Sequence, residues 1–184
     1  MRPLFQVFVF FIATCLKCTF AQGSPRSCND DNIWIANEVE LQALDQLNCT
    51  VLNGTGNLGV WTTFPGVFSL PVVTTAREID VPVDFDDPCN LTEFSMPDLI
   101  NTTFISFQNI PLLTNLSLPK LREIGAPSPP GYDLGGDFEF NYTGVNPVAV
   151  SLPTLENVWG SLRLWGNVDG YVNNPPTSIG ECRR

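Results

Sequence analysis

Hydrophobic residues in this chain follow two spacings that alternate along the sequence. In the first spacing apolar residues stand three positions apart, and in the second they alternate with polar residues, as in a strand with one buried face. The two clearest copies read Leu118, Leu121, Ile124, Gly136, Phe138, Phe140 and Leu152, Leu155, Val158, Gly160, Leu162, Leu164. Each copy therefore predicts a bent, non-helical segment that leads into a short strand.

A tripeptide, Ser-[Leu/Met]-Pro, recurs in phase with this pattern. It occupies 69–71, 95–97, 117–119 and 151–153, a spacing of about 22–26 residues once the Pro/Gly-rich stretch 126–135 is set aside as an inserted loop. A period of this length is typical of leucine-rich repeats. The proline lacks the amide donor that a helix interior needs, so crossover helices are disfavoured.

These repeats predict a mainly β fold, a short right-handed parallel β-solenoid of the leucine-rich type. No single coil can bury its apolar side alone, so the stack of coils forms the core. We expect the repeats to occupy 66–170 and the segment 171–184 to be irregular.

The residues before the repeats predict a helix that caps the solenoid. Asn37 followed by Glu40 is a capping-box pattern, and Leu41, Leu44 and Leu47 fall on one helical face. Such a cap would cover the free sheet edge that the first coil otherwise exposes.

The N-terminus has the layout of a secretory signal peptide. Arg2 precedes an apolar run from Leu4 to Leu16, and small residues before Ala21 predict cleavage after that residue. The signal peptide is thus 1–21 and the mature domain 22–184. No later segment is apolar enough to span a membrane, so we expect a secreted or cell-surface protein without a membrane span.

N-glycosylation motifs and cysteines agree with an extracellular location. Six motifs of the form N-x-[ST] begin at Asn48, Asn53, Asn90, Asn101, Asn115 and Asn141. The mature chain keeps four cysteines, which predicts two disulfides in an oxidising compartment and allows three pairings. We favour Cys28–Cys49, which closes a compact N-terminal unit at 28–49, leaving Cys89 and Cys182 to pair.

Parts of the sequence resemble known families. Cys28, the Ile33-x-Ile35 strand, the 38–47 helix and Cys49 resemble the opening of a receptor L-domain. The units at 118–125 and 152–162 resemble repeats of the fungal GPI-anchored cell-wall organisation and sporulation proteins, and the resemblance covers about residues 28–170. It implies a surface or wall glycoprotein without catalytic activity that contributes to wall organisation. Wall polysaccharide or surface glycoproteins would be its partners.

Catalytic chemistry finds little support in the composition. The chain has no histidine, which excludes Ser-His-Asp and Cys-His arrangements. The best acidic cluster, Asp84, Asp86 and Asp87, allows a calcium loop or the carboxylates of a polysaccharide-active β-helix enzyme, but a solvated loop before Cys89 is the favoured interpretation. We therefore expect a non-enzyme with no metal and no cofactor. A formal net charge of −10 also argues against a nucleic-acid partner.

The strand at 159–165 supplies the candidate binding face. If Leu162 and Leu164 point inward, alternation places Trp159, Ser161, Arg163 and Trp165 on the outer face. Aligning the two clearest copies sets Glu139 beside Arg163 and Asn141 beside Trp165. Exposed tryptophans stack well on sugars, so one interpretation is a glycan-binding face. The favoured alternative is that these tryptophans pack under the 127–135 insertion or a C-terminal segment. A third interpretation is a purely structural, glycan-coated spacer in the wall.

Overall fold

The chain winds through about 5 turns of a β-solenoid built from parallel strands, with one short helix near its start. The computed structural model describes residues 25, 27–82, 89–126, 136–171 and 178–181. Within these residues each turn contributes a strand to a long sheet and most turns contribute a second strand to a short sheet. The mainly β, parallel, stacked architecture predicted from the repeats is therefore confirmed.

The long sheet has eight strands. Its strands, in chain order, are β1 Ile33–Ile35, β2 Val51–Val60, β4 Thr75–Val81, β6 Asn101–Gln108, β8 Glu123–Ile124, β9 Phe138–Asn141, β11 Asn157–Trp165 and β13 Ser178–Glu181. Strands β8 and β9 are two pieces of one turn, interrupted by the insertion that contains the undescribed residues 127–135, and both pair with β6 and β11. The segment after 170, expected to be irregular, contributes β13.

The short sheet has five strands. They are β3 Gly66–Ser69, β5 Leu91–Ser95, β7 Asn115–Ser117, β10 Val148–Ser151 and β12 Val168–Tyr171. The serines of the four Ser-[Leu/Met]-Pro tripeptides end the first four of these strands and lie in one register row. The tripeptide thus marks where each coil leaves the short sheet.

The core lies between the two sheets. Phe68 and Phe94 stack with ring centroids 4.8 Å apart, and Phe94 meets Phe107 edge-on at 4.9 Å, so aromatic contacts run from one sheet to the other. Of the four residues predicted to point inward, Phe138, Phe140 and Leu162 are buried and Leu164 is partly buried against the same core. Leucine and phenylalanine at the inward positions hold the coils together by removing apolar surface from water.

The capping helix, α1, spans Glu38–Gln46, and its N-terminal cap is Asn37, whose side-chain oxygen accepts a hydrogen bond from the Glu40 amide. The Glu40 carboxylate in turn accepts from the amide of Ala36, one residue earlier than in the usual capping box. Leu41 and Leu44 are buried as expected.

One residue of the helix prediction is wrong. The helix ends at Gln46, and Leu47 is its C-terminal cap with 36% exposure rather than a member of the buried face. The Cys28–Cys49 disulfide closes this N-terminal unit, with Cα atoms 5.6 Å apart.

Candidate functional site

The outer surface of the long sheet carries the predicted binding face, and its strand register is the predicted one. Arg163 on β11 lies opposite Glu139 on β9, and Trp165 lies opposite Asn141. The Arg163 guanidinium donates to a Glu139 carboxylate oxygen in a partly exposed ion pair. Trp165 is 47% exposed. An exposed ion pair of this kind contributes about 0–1 kcal/mol to the free energy of unfolding. Stability alone therefore gives little reason for these two residues to be here, and both can contact a ligand.

Alternation predicts that Ser161 points freely into solvent, but the structure does not place it there. It is half-buried, and both its amide and its hydroxyl donate to the carboxylate oxygen Oδ1 of Asp137, at 2.6 and 2.8 Å. Gly160 makes room for this carboxylate, because a Cβ at that position would stand 2.4 Å from Asp137 Oδ1. A strand irregularity between Val158 and Ser161 accompanies this contact.

Trp159 occupies a separate part of the surface. It is 36% exposed and lies beside Gly125, where the chain leaves the sheet for the 127–135 insertion. Gly125 has a positive φ of 85°, and a Cβ on Gly136 would stand 2.1 Å from the Gly125 Cα, so the close approach of these two residues requires glycine at both positions. The alternative in which the tryptophans pack under the insertion falls on residues outside the described ones.

A second tryptophan pair, missed by the sequence analysis, lies at the other end of the long sheet. Trp34 on β1 and Trp61, just after β2, have ring centroids 4.9 Å apart at an interplanar angle of 37°, and Trp61 is 37% exposed. The indole of Trp34 lies over Gly59, its register neighbour, because a Cβ there would stand 2.1 Å from two atoms of the ring. The sequence feature that could have indicated this pair is Gly59, a position without a side chain between the buried Leu58 and Val60.

Mainly polar side chains lie between the Trp34–Trp61 pair and Trp165 on the outer face. One register row crosses the outer face through Gly59, Asp80, Ser106, Glu139 and Arg163 on successive strands. Burial raises the pKa of Asp80, the Ser106 hydrogen bond lowers it in part, and Glu78 adds to the rise. The Ser106 hydroxyl also accepts from the Gln108 amide.

Candidate metal and catalytic residues receive no further support. Asp84, Asp86 and Asp87 lie outside the described residues, so neither the calcium loop nor the enzyme carboxylates can be placed. Among the described residues no group of three or more histidine, cysteine or acidic side chains is arranged to hold a metal ion.

The asparagines of the six glycosylation motifs all lie on described parts of the fold. Those at 48, 53, 90, 101 and 141 are exposed, and Asn115 is half-buried on the outer face of the short sheet between Glu93 and Ala149. A glycan on Asn141 would share the outer face with Trp165. Their accessibility is compatible with modification, which stays a prediction.

The second disulfide also stays a prediction. Cys89 is buried, and burial raises the pKa of its thiol, but Cys182 lies outside the described residues.

Comparison of the sequence with protein-family models and with curated proteins, and of the fold with solved structures, found no match. Among the described residues no helix is both long and apolar enough to cross a bilayer. The fold and the surface define the class as a parallel β-solenoid whose long sheet carries tryptophans near both ends.

Proposed function

We propose that this chain is a secreted or cell-surface N-glycoprotein that contributes to cell-wall organisation as a non-catalytic, glycan-binding solenoid module. The signal peptide at 1–21, the six glycosylation motifs and the resemblance to fungal wall-organisation proteins support the location. The fold alone is compatible with many functions, so the argument for binding rests on the surface.

The observation that carries the proposal is the exposed Trp165 in register with Asn141, next to the Arg163–Glu139 pair. An indole ring offers an apolar face on which the C–H side of a sugar ring stacks, while neighbouring charged and amide groups bond its hydroxyls. The sheet holds these groups on a rigid backbone, which lowers the entropy lost on binding.

A binding assay with purified wall polysaccharide tests the proposal. Trp165→Ala should weaken binding by about tenfold or more, since one aromatic anchor is commonly worth over 1 kcal/mol. Leu112→Ala is the matched control, because Leu112 is also exposed, at 52%, but lies in the turn between β6 and β7. Equal binding by both variants, or none by the unmodified protein, would leave a glycan-coated structural spacer as the better function.

The finer fold assignment is part of the same proposal. We infer a right-handed solenoid of the leucine-rich, receptor L-domain type. The Ser-[Leu/Met]-Pro repeat and the disulfide-closed helical cap support it. An experimental structure with left-handed coils would contradict this assignment.

The alternative function is a polysaccharide-active β-helix enzyme that uses acidic residues. The described outer face does carry acidic pairs, Glu78 with Asp80 on β4 and Asp137, just before β9, with Glu139 on β9, but β6 separates the two strands. We propose no catalysis. Incubation with wall polysaccharides followed by measurement of released reducing ends tests this, and release that Asp80→Asn or Glu139→Gln abolishes would make the chain an enzyme.

A further inference from the structure

The end of the long sheet that carries Trp34 and Trp61 combines an aromatic platform with a half-buried carboxylate. We propose that it is a subsite for an amino sugar, with the sugar ring on the two indoles and its ammonium group on Asp80, within a polysaccharide that carries free amines. This inference rests on the glycan-binding function proposed above and names the class of glycan.

The platform is built by the backbone as much as by the rings. Because Gly59 has no side chain, the six-membered part of the Trp34 indole lies directly over it. Gly59 is the register neighbour of Asp80, so the ring stands about one strand spacing, roughly 4.8 Å, from the strand of that carboxylate. Trp61 extends the aromatic surface at a 37° tilt.

Asp80 has hydrogen-bonding support but, among the residues that the structure describes, no ion-pair partner. Ser106, itself 3% exposed, donates to its carboxylate. The ion pairs of the described residues join Glu78, Asp98, Glu156 and Glu139 to arginines or lysine, and none of them includes Asp80. A half-buried carboxylate without a counter-ion next to aromatic faces is the arrangement that recognises a ligand ammonium group.

Charge and shape favour an amino sugar over other partners. The chain carries a net charge of −10, which repels polyanions and attracts a polycation over long range. Beyond Asp80 the outer face carries Gln108, the Glu139–Arg163 ion pair and Asn141 before it reaches Trp165. Amide groups and a neutralised charge pair between two aromatic ends suit a polyhydroxylated chain that crosses the strands.

The proposed contact has a pH dependence of known sign. The charged groups near Asp80 are Glu78 on its own strand, which is ion-paired with Arg77, and the Glu139–Arg163 pair further along the row. The neighbouring Ser106 on β6 and the Asn57 and Gly59 on β2 are uncharged. Burial raises the pKa of Asp80, and only its charged form holds an ammonium group. Binding should therefore weaken as the pH falls through this raised pKa, before an ordinary aspartate is protonated.

The experiment measures binding of β-linked glucosamine oligomers and of their N-acetylated counterparts of the same length by tryptophan fluorescence. We expect the free-amine oligomer to bind more tightly, and added salt to weaken only that binding. Asp80→Asn should weaken binding of the free-amine oligomer about tenfold, which corresponds to about 1.4 kcal/mol. Asp169→Asn, on the exposed face of the short sheet, removes the same charge elsewhere and should leave binding unchanged.

Gly59→Ala provides a test that leaves every polar group in place. The added methyl group would displace the Trp34 ring, and the variant should lose affinity for the amine while its circular dichroism stays the same. Should Gly59→Ala fail to fold, Trp61→Ala at an exposed position makes the same test.

The outcomes separate this inference from the function on which it rests. If both oligomers bind equally, and Trp165→Ala but not Asp80→Asn weakens them, the amino-sugar subsite is wrong and the glycan-binding function stands. If neither oligomer nor any wall polysaccharide binds, both are wrong. If polylysine binds through Asp80 and the glucosamine oligomer does not, the partner is a basic peptide and the inference is overturned.

Discussion

Phe94 should contribute more to stability than any exposed residue of its strand, because it joins the two sheets. Its side chain is fully buried, stacks on Phe68 at 4.8 Å with an interplanar angle of 2°, and meets Phe107 edge-on at 4.9 Å. Phe94→Ala removes the ring and leaves a cavity in a core that cannot readily collapse, since each coil is held by the next. Substitutions of this kind cost about 3–5 kcal/mol.

Phe94→Leu isolates the aromatic part of that cost. Leucine keeps most of the apolar volume but loses both ring pairs, each worth about 0.5–1.5 kcal/mol, so we expect a loss of about 1–3 kcal/mol. Glu93→Ala is the control, because Glu93 precedes Phe94 and is exposed on the outer face. A domain of this size should lose about 2–4 °C in Tm for each kcal/mol.

Guanidinium unfolding of the purified protein, followed by circular dichroism, measures these differences. The expected order of stability is wild type and Glu93→Ala together, then Phe94→Leu, then Phe94→Ala. If Phe94→Ala does not fold, Phe94→Leu alone decides. A Phe94→Leu variant as stable as the wild type, or a Glu93→Ala variant that loses as much, would refute the placement of the aromatic contacts.

Three further predictions concern acid stability, the disulfides and the glycans. The Lys120 ammonium and the Val72 amide donate hydrogen bonds to the Asp98 carboxylate and hold its pKa below the usual value. The charged carboxylate therefore stabilises the fold at pH values above its pKa in the unfolded chain, and this stabilisation is lost as the pH falls through its lower pKa in the folded protein. Asp98→Asn should accordingly lose less stability than the wild type between neutral and strongly acidic pH, in unfolding curves measured across that range. Non-reducing peptide mapping should find Cys28 joined to Cys49, and a Cys28–Cys89 peptide would contradict the cap. Endoglycosidase should sharply increase the gel mobility of the protein expressed in a eukaryotic host, and an unchanged mobility would contradict both the glycoprotein and the location proposals.

The repeat allowed the stacking of coils and the strands of the long sheet to be predicted from the sequence, but not the strands of the short sheet. Alternation at 138–140 and 162–164 identified the long-sheet strands and even their register. The short-sheet strands are only three to five residues long, and each has one or two inward side chains. In β7, for example, only Leu116 is buried. A period-two signal cannot be recognised over so few residues.

The candidate site divides in the same way. The outward positions of Glu139, Arg163 and Trp165 follow from strand alternation, which is local. The Trp34–Trp61 pair is not local, because it depends on β1 pairing with β2 in a register that lays Trp34 on Gly59. Two copies of a repeat can be aligned in the sequence, whereas the capping coil differs from the repeats and offers no copy to align.

Ser161 shows how a local irregularity defeats alternation. The insertion between β8 and β9 brings Asp137 to the start of β9, where its carboxylate bonds the amide and hydroxyl of Ser161. An aspartate substituted for Ser161 would face that carboxylate, so Ser161→Asp should destabilise this strand although alternation places position 161 on the outer face. The adjacent pair Val150→Asp, at a buried position, and Ala149→Asp, at an exposed one, tests the inward and outward faces of β10 without this conflict.

The glycan predicted on Asn141 should compete with external polysaccharide for Trp165. Asn141 is exposed and lies opposite Trp165 in the register, so its first sugars share the surface of that indole at high local concentration. Removing the motif should therefore raise the affinity for wall polysaccharide and change the emission of Trp165, while Trp165→Ala should abolish both effects.

The choice of variant decides whether this result can be interpreted. Thr143→Ala removes the motif but also the hydrogen bond from the Thr143 hydroxyl to the Asn109 side-chain oxygen, at 3.2 Å. Asn141→Gln removes the glycan and keeps that bond, and Thr143→Ser keeps both the motif and a hydroxyl. If the first two variants bind more tightly and the third behaves as the wild type, the glycan competes for the indole. If only Thr143→Ala differs, the lost hydrogen bond is the cause. If none differs and Trp165→Ala binds normally, this end of the face is inert, and a glycan-coated spacer explains Trp165 better than a binding module does.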